Sequence, residues 1–153
     1  IEIFFEYLAG FVFGLLIFQA LFMKKMMGGT YVKALKNSFY PEWVSMNYIM
    51  AGMIPVMAIW GAHNPLAKSP GSIQFWGMMS FATIIGGFVA YPINRWLVSK
   101  GLKHGMMTVR KGKGMHMHHA EMTATKPQMK KVLIGSLVTL AIGIVIGIIG
   151  AYS

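Results

Sequence analysis

The sequence predicts an all-α integral membrane protein with four transmembrane helices and a short interfacial helix after the first. Three observations carry this reading. Of 153 residues, 56% are hydrophobic and only 12% charged, a balance that suits a bilayer better than water. Four apolar runs, each about long enough to cross a hydrocarbon core of ~30 Å, account for nearly the whole chain and leave a single membrane domain over 1–153. The basic residues gather between those runs, where topology explains them more cheaply than nucleic acid does. With no Cys, disulfides, iron–sulfur clusters and cysteine-based zinc sites are excluded together.

The first span covers 4–23, interrupted by Glu6 and Gln19 and stopped by Lys24 and Lys25. Gly28-Gly29 then breaks the helix. Val32, Leu35 and Phe39 recur at helical spacing opposite Lys33 and Lys36, the pattern of an amphipathic helix at the interface. Pro41 sits where a new helix can start. The second span, 43–62, is uncharged, with Trp43 and Trp60 as aromatic anchors near its ends. Asn64-Pro65 and Pro70-Gly71 mark a short turn. The third span, 73–98, contains Pro92, which should kink or break it. A polar stretch over 99–131 leads to the fourth span, 132–152, which has no ionisable group before Tyr152.

Loop charges predict the orientation. Lys24, Lys25, Lys33 and Lys36 lie in the first loop, Lys68 alone in the second, and eight Lys or Arg in the third. Loops one and three are therefore expected in the cytoplasm, with both termini outside the inner (plasma) membrane, in the periplasm. The chain opens at Ile1 rather than Met, which leaves room for an upstream piece or a removed signal sequence.

Small residues at spacing four let membrane helices approach closely. Gly135, Thr139, Gly143, Gly147 and Ala151 form such a seam on the fourth span, and Gly10 and Gly14 a shorter one on the first. The first helix is a plausible partner for the fourth. Bundle packing is the favoured use of Gly10 and Gly14, whereas the longer seam serves packing or docking on another subunit equally well. Met46, Met50, Met53 and Met57 share one face of the second span. Thioethers fill gaps and also favour Cu(I); with no thiolate or imidazole inside the span, packing is the better reading.

The most chemical segment is the third loop, where His104, Met106, Met107, Met115, His116, Met117, His118, His119 and Met122 mix imidazole and thioether donors. That mixture selects copper over zinc, and Gly112 and Gly114 would let the backbone wrap an ion. Arg110, Lys111 and Lys113 oppose a cation, so the competing reading is a solvated basic loop on lipid head groups or a partner. His63, at the other end of the second span, can meet only Glu2 and Glu6, a weak candidate site.

The segment from Ala90 to Met106 contains Tyr91-Pro92-Ile93-Asn94 and Gly101-Leu102-Lys103-His104-Gly105-Met106, preceded by Phe39-Tyr40-Pro41 and Met46-Asn47. Over roughly residues 30 to 107 it resembles an uncharacterised family of small bacterial multi-helix membrane proteins, a domain of unknown function. The resemblance implies a membrane fold and no activity, so Tyr91, Pro92, Asn94, His104, Gly105 and Met106 are marking positions only. Read physically, Pro92 frees a carbonyl one turn earlier, Asn94 can bond broken backbone, and His104-Gly105 sits where a helix ends.

No span contains a histidine pair for haem, and spans two to four hold no ionisable group well inside, which disfavours a proton-coupled transporter. No phosphate loop or Ser-His-Asp set is visible. The leading expectation is a non-catalytic accessory subunit of a larger membrane complex, with a respiratory or copper-dependent oxidoreductase as host. Its partners would be other integral membrane subunits and lipid, with self-association open and nucleic acid excluded. The alternative is a Cu(I)-binding or copper-delivery protein using the third loop. A channel or facilitator lined by Asn47, Thr83 and Asn94 ranks third.

Overall fold

The structure, a computed structural model, describes residues 2–13, 31–102 and 124–153. All regular structure among them is helical. Helix α1 spans Glu2–Phe13, α2 Tyr31–His63, α3 Ile73–Ser99 and α4 Lys126–Tyr152, with a 3-10 turn at Pro65–Lys68. Three segments are long and apolar enough to cross a membrane: Phe39–His63, Ile73–Ser99 and Lys126–Tyr152. They match the second, third and fourth predicted spans. The first predicted span is described only as far as Phe13, and residues 14–30 and 103–123 lie outside the described residues.

Pro41 does not start a helix. It lies inside α2, which runs unbroken from Tyr31 through the predicted boundary between an interfacial helix and the second span. An interior proline costs about 3 kcal/mol, and tertiary contacts around this turn oppose that cost. Tyr40 Oη donates to the Met129 carbonyl oxygen of α4 at 2.6 Å. Phe11 of α1 meets Phe39 and Trp43 edge-on, with ring centroids 5.5 and 5.4 Å away. Pro92 likewise leaves α3 continuous.

Helix α2 is the centre of the bundle. Helices α3 and α4 both pack on it and do not approach each other along their backbones, and α1 touches α2 alone among the described residues. Among the described residues the first helix does not meet the fourth, and Gly14 lies outside them: α4 spends its seam on α2, and Gly10 of α1 faces Met46 of α2, whose Cε would stand 3.0 Å from a Cβ at that position.

The element ends follow local chemistry. Ser72 Oγ accepts from Phe75 N at 3.1 Å to cap α3. Gln128 Oε1 accepts from Thr125 N at 3.2 Å at the start of α4, half of a capping box, so α4 begins six residues before the predicted span. Helix α3 ends in a Schellman motif. Gly101 has φ 68, Leu102 N donates to Leu97 O at 3.0 Å and Gly101 N to Val98 O at 3.1 Å. Leu97 and Leu102 then join Val44 in one buried cluster. The helix thus stops at Gly101, ahead of the His104-Gly105 position expected from the sequence, because only glycine takes a left-handed φ without strain.

Candidate functional site

Two features stand out: a polar layer between the helices and an apolar groove at one end. In a bilayer a polar side chain must find its partner within the protein, and the partners here lie on neighbouring helices. Ser45 and Asn47 project from α2 and are almost fully buried, as is Ser136 of α4. Ser45 Oγ donates to Asn94 Oδ1 of α3 at 2.8 Å. Asn47 Nδ2 donates to Ser136 Oγ at 3.0 Å, and Ser136 Oγ in turn donates to Leu133 O at 2.7 Å. One turn of α2 therefore holds both flanking helices, and Tyr40 adds a second link to α4.

This layer takes up Asn47 and Asn94 of the Tyr-Pro and Asn elements. Asn94 turns inward, whereas Tyr91 and Pro92 are exposed on the outer face of α3. Thr83 does not join the layer. Its hydroxyl bonds Met79 O of its own helix at 2.7 Å, and eleven residues of α3 separate it from Asn94, about 16 Å of rise. Asn47, Thr83 and Asn94 are not brought together.

The glycines decide how closely the helices cross. A Cβ at Gly52 of α2 would stand 2.8 Å from Gly86 Cα, and one at Gly86 would stand 2.8 Å from Ile49 O and from Met53 Cγ. On the other side of α2, a Cβ at Gly143 would stand 2.8 Å from Ala51 Cα, and one at Gly147 3.3 Å from Ala58 Cβ. Gly135 faces the Tyr48 hydroxyl, and Thr139 Oγ1 bonds Gly135 O at 2.8 Å. Ala151 is half-buried at the end of the same helix. Of the methionine stripe, Met50 is buried and Met46, Met53 and Met57 are half-buried, with Met46 set against α1 and Met53 against α3.

The groove has a volume of about 460 Å³ and is lined by Pro55, Val56, Ile59, Trp60, His63, Asn64 and Phe81. Trp60 and Phe81 form its aromatic wall, with ring centroids 6.0 Å apart. His63 stands exposed at its mouth, its Nδ1 2.8 Å from Ile59 O. A shallower hollow of about 320 Å³ lies on the outer face of α3 between Ile84, Gly87, Phe88 and Tyr91.

Among the described residues no three His, Cys, Asp or Glu gather as a metal site. His104, Met106, Met107, Met115, His116, Met117, His118, His119 and Met122 all lie outside the described residues, as do Gly14 and the side chains of Glu2 and Glu6. Sequence reasoning singled out neither Ser45 nor Ser136. The available signal was their place on otherwise apolar helical runs, Ser136 beside Gly135 and Ser45 two residues before Asn47.

The model of the family described as Domain of unknown function (DUF4396) matches residues 1–103, and the chain belongs to that family. The match takes in α1, α2 and α3 and starts well before residue 30. It ends one residue short of His104, so the Gly-x-x-His-Gly-Met element lies only partly within it. No curated protein and no solved structure matches the chain.

Proposed function

We propose that this member of the family is a non-catalytic accessory subunit of a larger membrane complex. The outer face of α3 carries the reading. Trp76, Phe88 and Tyr91 are all more than 60% exposed there, and a Cβ at Gly77 or Gly87 would meet nothing within 4 Å. Aromatic side chains beside open glycines make a surface that another helix can enter closely. The outer face of α4 differs, with Ile134, Val138, Ile142, Val145 and Ile149 exposed, a branched aliphatic surface suited to lipid.

In this reading the first helix continues through residues 14–23 to complete a fourth span. The stretch before Phe39, with Lys33 and Lys36, lies at the cytoplasmic interface. The basic third loop faces the cytoplasm, and both termini face the periplasmic side of the inner membrane. The host is a respiratory or copper-dependent oxidoreductase, a choice motivated by the methionine and histidine content alone. A second copy of the chain is the other occupant of the α3 face.

The second reading is a Cu(I)-binding or copper-delivery protein, favoured by the unbroken run Met115 to His119. Gentle detergent extraction at native abundance, followed by native mass spectrometry and elemental analysis of the same peak, separates the two. Migration inside a much larger assembly whose metal belongs to other chains supports the accessory subunit. Migration as a 17.0 kDa chain with about one copper that disappears when His116, His118 and His119 are replaced supports the carrier.

A further inference from the structure

We infer that the hollow on the outer face of α3 holds one acyl chain of an anionic phospholipid whose phosphate sits on Arg95. This goes beyond the accessory-subunit reading and does not depend on it, because the hollow and its cation belong to this chain alone; a docking helix would displace the lipid.

The hollow exists because a side chain is missing. Gly87 stands among Ile84, Phe88 and Tyr91, all three exposed, and a Cβ on it would meet nothing within 4 Å. The walls are a branched aliphatic chain and two aromatic rings. Ile84, Phe88, Tyr91 and Arg95 recur along α3 at spacings of four, three and four, so they share one stripe of the helix. Helical side chains lean toward the N-terminus. That carries the stem of the exposed Arg95 over Tyr91, the residue that closes the hollow on that side.

The depth matches a single leaflet. Trp76 and Trp96 lie near the two ends of α3, about 30 Å apart along its axis, the thickness of a hydrocarbon core flanked by its aromatic belts. Ile84 to Arg95 covers about 16 Å of that length, from near the midplane to the interface beside Trp96. A lipid chain lying in the hollow brings its phosphate out at the level of Arg95.

Charge selects the head group. Among the described residues Arg95 has no ion-pair partner. The end of α3 around Leu97 and the start of α4 around Met129 meet in one cluster, so Lys100, Lys126, Lys130 and Lys131 make this end of the bundle basic as well. A guanidinium grips phosphate through two parallel hydrogen bonds, and a basic residue at this depth favours anionic lipid. A neutral apolar occupant would fill the hollow and leave the cation uncompensated, whereas an anionic phospholipid satisfies both.

The test is native mass spectrometry of the full chain released from mixed micelles that contain dioleoylphosphatidylglycerol or dioleoylphosphatidylcholine at matched mole fractions. A single phosphatidylglycerol should be retained, at a mole fraction about five-fold below that needed for phosphatidylcholine, the increment of one basic residue at an anionic surface. Arg95→Gln should remove that preference, Arg95→Lys should keep part of it, and Lys130→Gln on α4 should leave it whole. Gly87→Leu should fill the hollow and lower the retention of both lipids. Glycerophosphoglycerol, the head without its chains, should not compete. Arg95 is exposed and Gly87 open, so their variants should leave the helical circular dichroism and melting unchanged. A preference that survives Arg95→Gln, retention that survives Gly87→Leu, or competition by the free head group would each overturn the proposal. A chain that leaves the micelle as a lipid-free dimer would give the hollow to a second copy and overturn it too.

Discussion

Gly143 of α4 rests on the backbone of Ala51 in α2, on the carbonyl that Pro55 deprives of its helical donor. Proline has no N–H, so residue 51 loses its i+4 partner. A Cβ at Gly143 would stand 2.8 Å from Ala51 Cα and 3.0 Å from its carbonyl carbon. Glycine thus lets α4 close onto this carbonyl, at a place where no side chain would fit.

Gly143→Ala should destabilise the bundle by about 1–3 kcal/mol, because a methyl group there must displace backbone rather than a flexible side chain. Gly86→Ala should act similarly through Ile49 O. Gly77→Ala and Gly87→Ala should be neutral or slightly stabilising, since open space surrounds both and alanine is the better helix former. Unfolding titrations in mixed micelles read all four. A Gly143→Ala variant as stable as Gly87→Ala would contradict the close crossing.

The Asn47–Ser136 bond should show a positive coupling in a double-mutant cycle. Asn47→Ala and Ser136→Ala together should cost less than their sum, by about 0.6 to 1.7 kcal/mol, the range for hydrogen bonds between membrane helices. Strict additivity would mean that the 3.0 Å contact contributes nothing.

Gly101→Ala should cost about 1–2 kcal/mol, the penalty for a left-handed φ in an L-residue, and Gly101→Asn less. The same variant should loosen the Leu97–Leu102 contact, so amide exchange at Leu102 should rise. Unchanged exchange there would separate Gly101 from the α3 terminus.

Gly87→Trp should release the chain from its complex while leaving its melting unchanged. The substitution fills the hollow beside Phe88 and Tyr91 on the outer face without touching the bundle. Co-purification before and after substitution measures this. Retention of Gly87→Trp in the full assembly would remove the α3 face as the docking surface.

Replacement of His116, His118 and His119 distinguishes the two functional readings chemically. An accessory subunit should keep its assembly and the metal content of that assembly, whereas a copper carrier should lose bound copper stoichiometrically. Elemental analysis of the purified peak gives the answer directly.

The sequence by itself determined the membrane class and the last three apolar spans, because the cost of placing a charge or an unpaired peptide in hydrocarbon depends on local composition alone. The ends of α3 and α4 are local features too, a left-handed Gly101 and a Thr125–Gln128 cap, although hydropathy alone places them at His104-Gly105 and at residue 132. Three other features needed the tertiary structure. Pro41 is a legitimate helix start in isolation and becomes an interior residue when Tyr40, Phe39 and Trp43 are held by α4 and α1. The seam from Gly135 to Ala151 has the same spacing whether it meets this chain or another, and only the position of Ala51 and Ala58 decides that it turns inward. Ser45, Asn47, Asn94 and Ser136 look like scattered polar residues along the chain. They become one layer because helix–helix register, set by glycine contacts between helices distant in sequence, brings donors opposite acceptors.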